Sequence, residues 1–389
     1  MSDRIAPAQG PLAGLKIVEI AGIGPGPFCA MLLADLGADI LRIDRPQKAI
    51  VGIPRDTVND ITLRGRRSVA VDLKSPEGIA TVLQLVEQAD GLIEGFRPGV
   101  MEKLGLGPEI CLQRNPKLVY GRMTGFGQDG PMSQAAGHDI NYIALGGALH
   151  YFARQGEAPV PPLNLVGDYG GGALFLAFGM MSGIWQAARS GKGQVVDTAM
   201  TDCVASLISG VVGGRERSGA WNEEVGTNLL DTGTHFYNVY ETKDGKHLSI
   251  GPIEHRFYVQ LLDKLGLKES DLPPQMDAQH WPEMKTRFAA IFKTKSLAEW
   301  DLLLANTDVC YAPILSLSEA HQHPHHQSRE TFTSIGDFVQ PSPVPKFSET
   351  PGAIQYPSPV PGDHTREGLK AWGFSDGEID QLTSSGAIE

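Results

Sequence analysis

Between residues 15 and 200, apolar runs of strand length alternate with stretches of helical spacing, which restricts the chain to a small set of folds. Leu15–Ala21 reads as a buried strand, Gly22–Pro27 as a turn, Phe28–Leu36 as a helix and Ala38–Asp44 as a second strand. Pro27 suits the first helical position and Gly37 the stop. Strands joined through a helix lie parallel, so this is a β-α-β unit. The pattern continues with strands at 68–73, 90–96, 118–126 and 195–200, and helices at 76–89, 173–188 and 201–213. The fold class is therefore α/β with a parallel sheet.

Beyond Gly213 the pattern changes. Arg215–Gly233 is polar and irregular, a crossing between domains. Tyr237–Tyr240 and His247–Ile250 flank Lys243-Asp244-Gly245-Lys246, a hairpin signal. Helices follow from Glu254 to about Leu265, over Trp281–Phe292 and over Ser296–Ala305, which makes a smaller α+β unit. The segment 321–348 reads as a linker leading back to the first domain. Its histidines, His321, His323, His325 and His326, stand in a Pro- and Ser-rich context that suits a linker better than a zinc site. The tail ends in one or two short amphipathic helices. The boundaries are 1–213 for the first part of the large domain, 214–233 for a linker, 234–318 for the small domain, 319–348 for a second linker and 349–389 for the tail.

Charge and composition narrow the function. A formal charge of −12 argues against nucleic acid as a partner. No apolar run is long enough to span a bilayer and Met1-Ser2-Asp3-Arg4 lacks a signal-peptide core, so the expectation is a cytoplasmic protein without a membrane. The four cysteines, Cys29, Cys111, Cys203 and Cys310, share no metal-ligand spacing and fit buried reduced thiols. Gly22, Gly24 and Gly26, with Asp44 further on, imitate a dinucleotide fingerprint. Pro25 and Pro27 remove backbone donors that a pyrophosphate needs, so a nicotinamide cofactor is not expected. Basic residues recur where strands end, at Arg45, Lys74 and Arg97, and Arg64, Arg66 and Arg67 add a cluster before Ser68. Ligands of open α/β sheets bind beyond the carboxyl ends of strands, so a phosphate-binding edge is expected.

Gly137–Tyr142 and Pro161–Gly172 carry the chemistry. The first offers an imidazole at His138; the second offers a carboxylate at Asp168, just before Gly170-Gly171-Gly172 and a long apolar helix. Both lie in expected loops. Asp168 would sit at or before the helix N-terminus, with the glycines leaving room for a ligand. A satisfied histidine and a helix cap are the plain alternative.

On Gly14–Glu19, Ala38–Pro46, Asp72–Lys74, Gly95–Val100, Arg122–Gly127, Gly137–Tyr142 and Pro162–Gly172, the chain resembles the family III CoA-transferases. The Gly-His-Asp-Ile-Asn-Tyr piece points to their racemase branch. The resemblance implies an isomerase that inverts the α-carbon of 2-methylacyl-CoA thioesters by 1,1-proton transfer through an enolate. It places His138 and Asp168 on the two faces of that carbon, with Glu254 of a second subunit supporting the histidine. Arg45, Lys74 and Arg97 would hold CoA, and Gly137 and Tyr142 would line its pantetheine end. Lys103 stands where such racemases often carry an arginine, keeping the charge but losing the bidentate fork. The implied architecture is a Rossmann-like large CoA-binding domain, completed by the C-terminal tail, and a smaller α+β domain in an interlocked homodimer. CoA belongs to the substrate, and no metal or redox cofactor is called for. Acid and base must both work near neutral pH, which asks for a raised pKa on Asp168, whereas a helix dipole would favour its carboxylate. A transferase forming an aspartyl-CoA intermediate at Asp168 is the alternative, and His138 favours proton transfer.

Overall fold

The computed structural model describes residues 4–46 and 56–389. The chain forms two compact units, one of Met1–Gly146, Leu163–Leu207 and Glu330–Glu389, the other of Gly147–Pro162 and Ile208–Arg329.

The larger unit is built on β1 (Lys16–Ile20), α1 (Pro25–Asp35), β2 (Asp39–Asp44), β3 (Arg67–Ala70), α2 (Pro76–Val86), β4 (Gly91–Glu94), α3 (Val100–Lys103), α4 (Pro108–Arg114) and β5 (Val119–Thr124). After these come α5 (Asp139–Leu145), α6 (Leu174–Ser190), β6 (Gln194–Ala199) and α7 (Met200–Leu207). All six strands run parallel in the order β3-β2-β1-β4-β5-β6. Val18 pairs with Leu41 on one side and Leu92 on the other.

Successive side chains point to opposite faces of a strand, and here both faces are covered. Val18, Ile20, Leu41 and Val69 pack with Val82 and Leu85 of α2 and with Leu369 and Trp372 of the C-terminal segment. Ile17, Ile40, Ile93 and Val119 pack with Cys29 and Leu33 of α1 and with Leu176 and Met180 of α6. That explains the near-continuous apolar strands of the sequence. α1 starts at Pro25 rather than Phe28, because the prolines of its first turn need no N–H partner there.

Three sequence expectations need correction, two of them in this unit and the third in the smaller one. Leu165–Ser190 forms one 26-residue helical stretch with an 18-residue window of mean hydropathy 1.2, long and apolar enough to cross a membrane. Its inner face, with Leu176, Met180 and Ile184, belongs to the core of the α/β unit. The cluster before Ser68 is not a free basic patch. Arg64 pairs with Asp35 at 2.6 Å, Arg66 with Glu19 at 2.7 Å and Arg67 with Asp39 at 2.6 Å. Arg66 is 0% exposed, and these cations neutralise the buried Glu19 and Asp35 and the half-buried Asp39. Finally, Cys29 and Cys111 are buried, but Cys310 is exposed.

The smaller unit contains α8 (Ser209–Gly213), β7 (Asn238–Glu241), β8 (His247–Ile250), α9 (His255–Lys264), α10 (Trp281–Phe292), α11 (Leu297–Leu304), β9 (Tyr311–Pro313), α12 (Leu317–Gln322) and α13 (Pro324–Ser328). The expected hairpin is present, and β9 adds a third antiparallel strand. Its core is aromatic: Phe236, Tyr240, Tyr258, Phe288, Phe292 and Trp300. The single helix expected at 201–213 is broken at Ile208, where the backbone leaves helical geometry.

Within the expected second linker, β10 (Phe332–Ile335) pairs with β11 (Phe338–Pro341). This hairpin is anchored to the larger unit, where Arg64 donates to Gln340 Oε1 at 2.8 Å and to the Pro341 carbonyl at 2.7 Å. The tail then forms α14 (Thr365–Ala371) and α15 (Asp376–Ser385).

Candidate active site

The strand order of the sheet reverses between β1 and β4, and the crevice beyond their carboxyl ends is where open α/β sheets bind ligands. Gly24, in the turn after β1, has φ +70°, and a Cβ placed there would lie 3.3 Å from Asp168 Oδ2. The missing side chain therefore lets the Asp168 carboxylate sit against this turn. Arg97 follows β4 directly. Its charge reaches the Tyr142 hydroxyl, which also feels Asp168, so the three groups share one electrostatic neighbourhood.

Asp168 is not in a loop before a helix. It stands in the first turn of a wide π-helical segment, Leu165–Ala173, that runs into α6. Such segments recur at functional sites because they reposition one side chain within an otherwise regular helix. The three glycines after it serve packing rather than an open loop. A Cβ on Gly172 would come within 2.9 Å of Pro25 Cβ and 3.2 Å of Met200 Cγ. A Cβ on Gly171 would meet Val204 Cγ2 at 3.0 Å. The glycines thus let this segment lie close against α1 and α7.

Two hydrogen bonds fix Asp168. Asn164 Nδ2 donates to its Oδ2 at 3.1 Å, and its backbone N–H donates to Asp139 Oδ1 at 2.6 Å. Next to it, Tyr169 stacks on Phe28 with ring centroids 4.2 Å apart. Burial pushes the Asp168 carboxyl up from its ordinary value, and the Asp139 charge adds to this. The Asn164 hydrogen bond and the His138 charge act in the opposite direction and are outweighed. Burial also raises Asp139, against the hydrogen bonds it accepts from the Asp168 and Gly167 amides. Burial therefore outweighs the hydrogen bond and the charge that favour the Asp168 carboxylate.

His138 is the N-cap residue of α5. Its N–H donates to Asn141 Oδ1 at 3.0 Å, and its ring is exposed. One turn on, the Tyr142 hydroxyl donates to the Gly137 carbonyl, and its ring meets Phe126 edge-on at 5.0 Å. Asp139 ties this helix to Asp168, which brings Gly137, His138, Tyr142, Asp168 and Arg97 into one site. Sequence reasoning passed over Asp139 as a spacer; the signal was a carboxylate in the first turn of a short helix beside the imidazole.

The strand-end cations are available. Arg45, Lys74, Arg97 and Lys103 are exposed, and none is ion-paired among the described residues. They follow β2, β3 and β4 and end α3, respectively. Asp44, the would-be ribose ligand of a dinucleotide, is committed to Arg42 at 3.1 Å and to the Ser68 hydroxyl at 2.7 Å. Glu254 belongs to the smaller unit, exposed at the N-cap of α9. No group of three or more His, Cys, Asp or Glu side chains among the described residues could hold a metal.

The sequence profile of CoA-transferase family III matches residues 12–365. The chain belongs to the family III CoA-transferases. Within the family it is 45% identical to an alpha-methylacyl-CoA racemase of Mus musculus over 380 residues, 97% of each chain. It is 44% identical to the alpha-methylacyl-CoA racemase of Homo sapiens, again over 97% of each chain. A crystal structure of a CAIB/BAIF family protein from Brucella suis superposes with a TM-score of 0.81 at 25% identity, covering 94% of this chain and 100% of that one. The family III fold thus extends over both units of the chain, each taken by itself.

Proposed function

We propose that the protein is an isomerase that inverts the α-carbon of 2-methylacyl-CoA thioesters by 1,1-proton transfer. The observation that carries this reading is the tether between the two acid–base residues. The residue after His138 holds the amide of Asp168, and Asp168 carries a raised pKa. Racemase relatives 44–45% identical over 97% of the chain support it.

A thioester acidifies its α-hydrogen because the enolate places charge on the carbonyl oxygen. In one direction the imidazole of His138 takes the proton and the C–H electron pair passes into the enolate. The Asp168 carboxyl then donates its own proton to the opposite face. The imidazolium and carboxylate left behind exchange protons with solvent before the next turnover, and the reverse direction exchanges the roles. A raised Asp168 pKa is what this needs, since an ordinary carboxyl would hold no proton near neutrality. Arg45, Lys74, Arg97 and Lys103 hold the phosphates of CoA, and Gly137 and Tyr142 line the pantetheine end. The chemistry asks for no metal or redox cofactor.

Glu254 supports His138 from a second subunit in an interlocked homodimer. Leu174, Phe178 and Trp185, on one face of α6, are 52%, 75% and 67% exposed, and the proposal places the second chain over them.

The test is incubation with one epimer of a 2-methylacyl-CoA in heavy water. Deuterium at the α-carbon together with the opposite epimer is expected, and both are lost in His138→Ala and Asp168→Ala. If no deuterium enters while CoA passes to a free carboxylic acid and hydroxylamine traps Asp168, the protein is a transferase and the proposal falls.

A further inference from the structure

In the smaller unit, away from the residues used above, Arg154 and Lys285 face one cavity of about 420 Å³. Asn238, Tyr240, Glu241, His247 and Thr286 are among the residues that line it. Neither cation has a carboxylate within ion-pair reach among the described residues. Each makes a single long hydrogen bond. Arg154 Nη1 donates to Asn238 Oδ1 at 3.5 Å, and Lys285 Nζ donates to the Thr232 carbonyl at 3.4 Å. Both distances lie beyond the usual range for N–H···O.

The nearby acids are engaged elsewhere. Glu241, on the cavity wall, pairs with Lys293 at 3.0 Å. Asp231 is buried and spends its oxygens on the amides of Gly226, Asn228 and Gly233 and on the Asn228 side chain. Asn238 is only 7% exposed and is locked by donating to the Thr232 and Thr234 carbonyls, and its Oδ1, which accepts from the Val239 amide at 2.8 Å, gives the guanidinium a long contact and no counter-charge. Burial and the Arg154 charge both work against the charged form of Lys285, and the pull of Asp231 does not make up for them. The exposed Arg154 guanidinium and the half-buried Lys285 ammonium on one wall repel each other, and Asp231 and Glu241, engaged elsewhere, offset this only in part. An anion between them removes that cost. A guanidinium fork and an ammonium point charge on one cavity are the donor set for an oxyanion.

We propose that this cavity is a second ligand site, which takes the phosphate or carboxylate group of a small molecule between Arg154 and Lys285. It stands independently of the racemase reading, because none of its residues belongs to that machinery.

The test is calorimetric titration of the full-length protein with inorganic phosphate and, separately, with citrate. The titration is run in an Arg45→Gln/Lys74→Gln/Arg97→Gln background, so that the strand-end cations take up no anion, and sodium chloride holds ionic strength constant. Saturable binding of one anion per chain is expected, weakened roughly tenfold or more in Arg154→Gln and in Lys285→Met and lost in the double variant. Lys285→Met removes a half-buried charge and retains the fold, and circular dichroism checks both variants. Preference for phosphate identifies a phosphoryl ligand, and preference for citrate a carboxylate. No saturable heat above the chloride control, or unchanged affinity in folded variants, overturns the proposal.

Discussion

Asp168 sets function against stability in one side chain. Folding raises its pKa, so the native state holds the proton more tightly than the unfolded chain does. That contribution is complete below the ordinary value of 3.8 and is lost as pH rises through the folded value. At neutral pH the half-buried carboxylate is therefore a burden, tolerated for its chemistry. Asp168→Asn is expected to melt above the wild type at pH 7, with the gap closing as the pH is brought below 3.8, while α-proton exchange is abolished. Calorimetric melts across pH check the first part and deuterium uptake the second; a variant that melts lower at pH 7 contradicts the desolvation account. Asp139 gives a second prediction at this scale. Asp139→Asn keeps an oxygen for the Asp168 amide, whereas Asp139→Ala frees that amide, so kcat should fall far more in the alanine variant.

Helical segments set how far these residues may move. Between Leu165 and Ala173 the glycines give the π-helical turn its close seat on α1 and α7. Gly172→Ala must push on Pro25 and Met200, and we expect a loss of about 1–3 kcal/mol of stability by urea titration, together with reduced activity. Gly170→Ala meets its nearest side-chain atom, on Leu207, only at 3.6 Å and should cost less. In the smaller unit, burial and then the Lys285 charge push His235 down to about 4, and its Nε2 faces the Tyr258 hydroxyl at 2.8 Å. The folded state refuses a proton that the unfolded chain accepts near 6.5. Stability carried by this residue is thus intact above pH 6.5 and is lost as pH falls towards 4. His235→Phe should flatten the dependence of melting temperature on pH in that window.

On the scale of the whole molecule the prediction concerns shared sites. If Glu254 acts across the dimer, His138→Ala and Glu254→Ala are each inactive alone. Co-expression of the two variants should then restore roughly a quarter of wild-type activity, because half of randomly paired dimers carry one intact site of two. Absence of rescue in verified heterodimers would place Glu254 in its own subunit's site. Placing a charge on the exposed face of α6, as in Phe178→Glu, should dissociate the dimer by sedimentation and abolish turnover with it.

What the residues alone determine is the alternation of short apolar strands with helices. From it follow a parallel sheet and a hairpin opening a smaller unit, because strand and helix periodicities are local properties. His138, Asp168 and the strand-end cations Arg45, Lys74 and Arg97 stand out in the sequence because each lies at the end of an expected element, and their roles belong to the proposed function. Tertiary structure decided the rest. It committed Arg64, Arg66 and Arg67 to the carboxylates of Asp35, Glu19 and Asp39 on other elements, turned Gly170-Gly171-Gly172 from an open loop into a packing seam, and wound Asp168 into a π-helical turn. It also gave Asp139 its hold on the Asp168 amide and buried the Asp168 carboxyl enough to raise its pKa. Each of these depends on neighbours distant in sequence and on how much water they exclude, which no local pattern records.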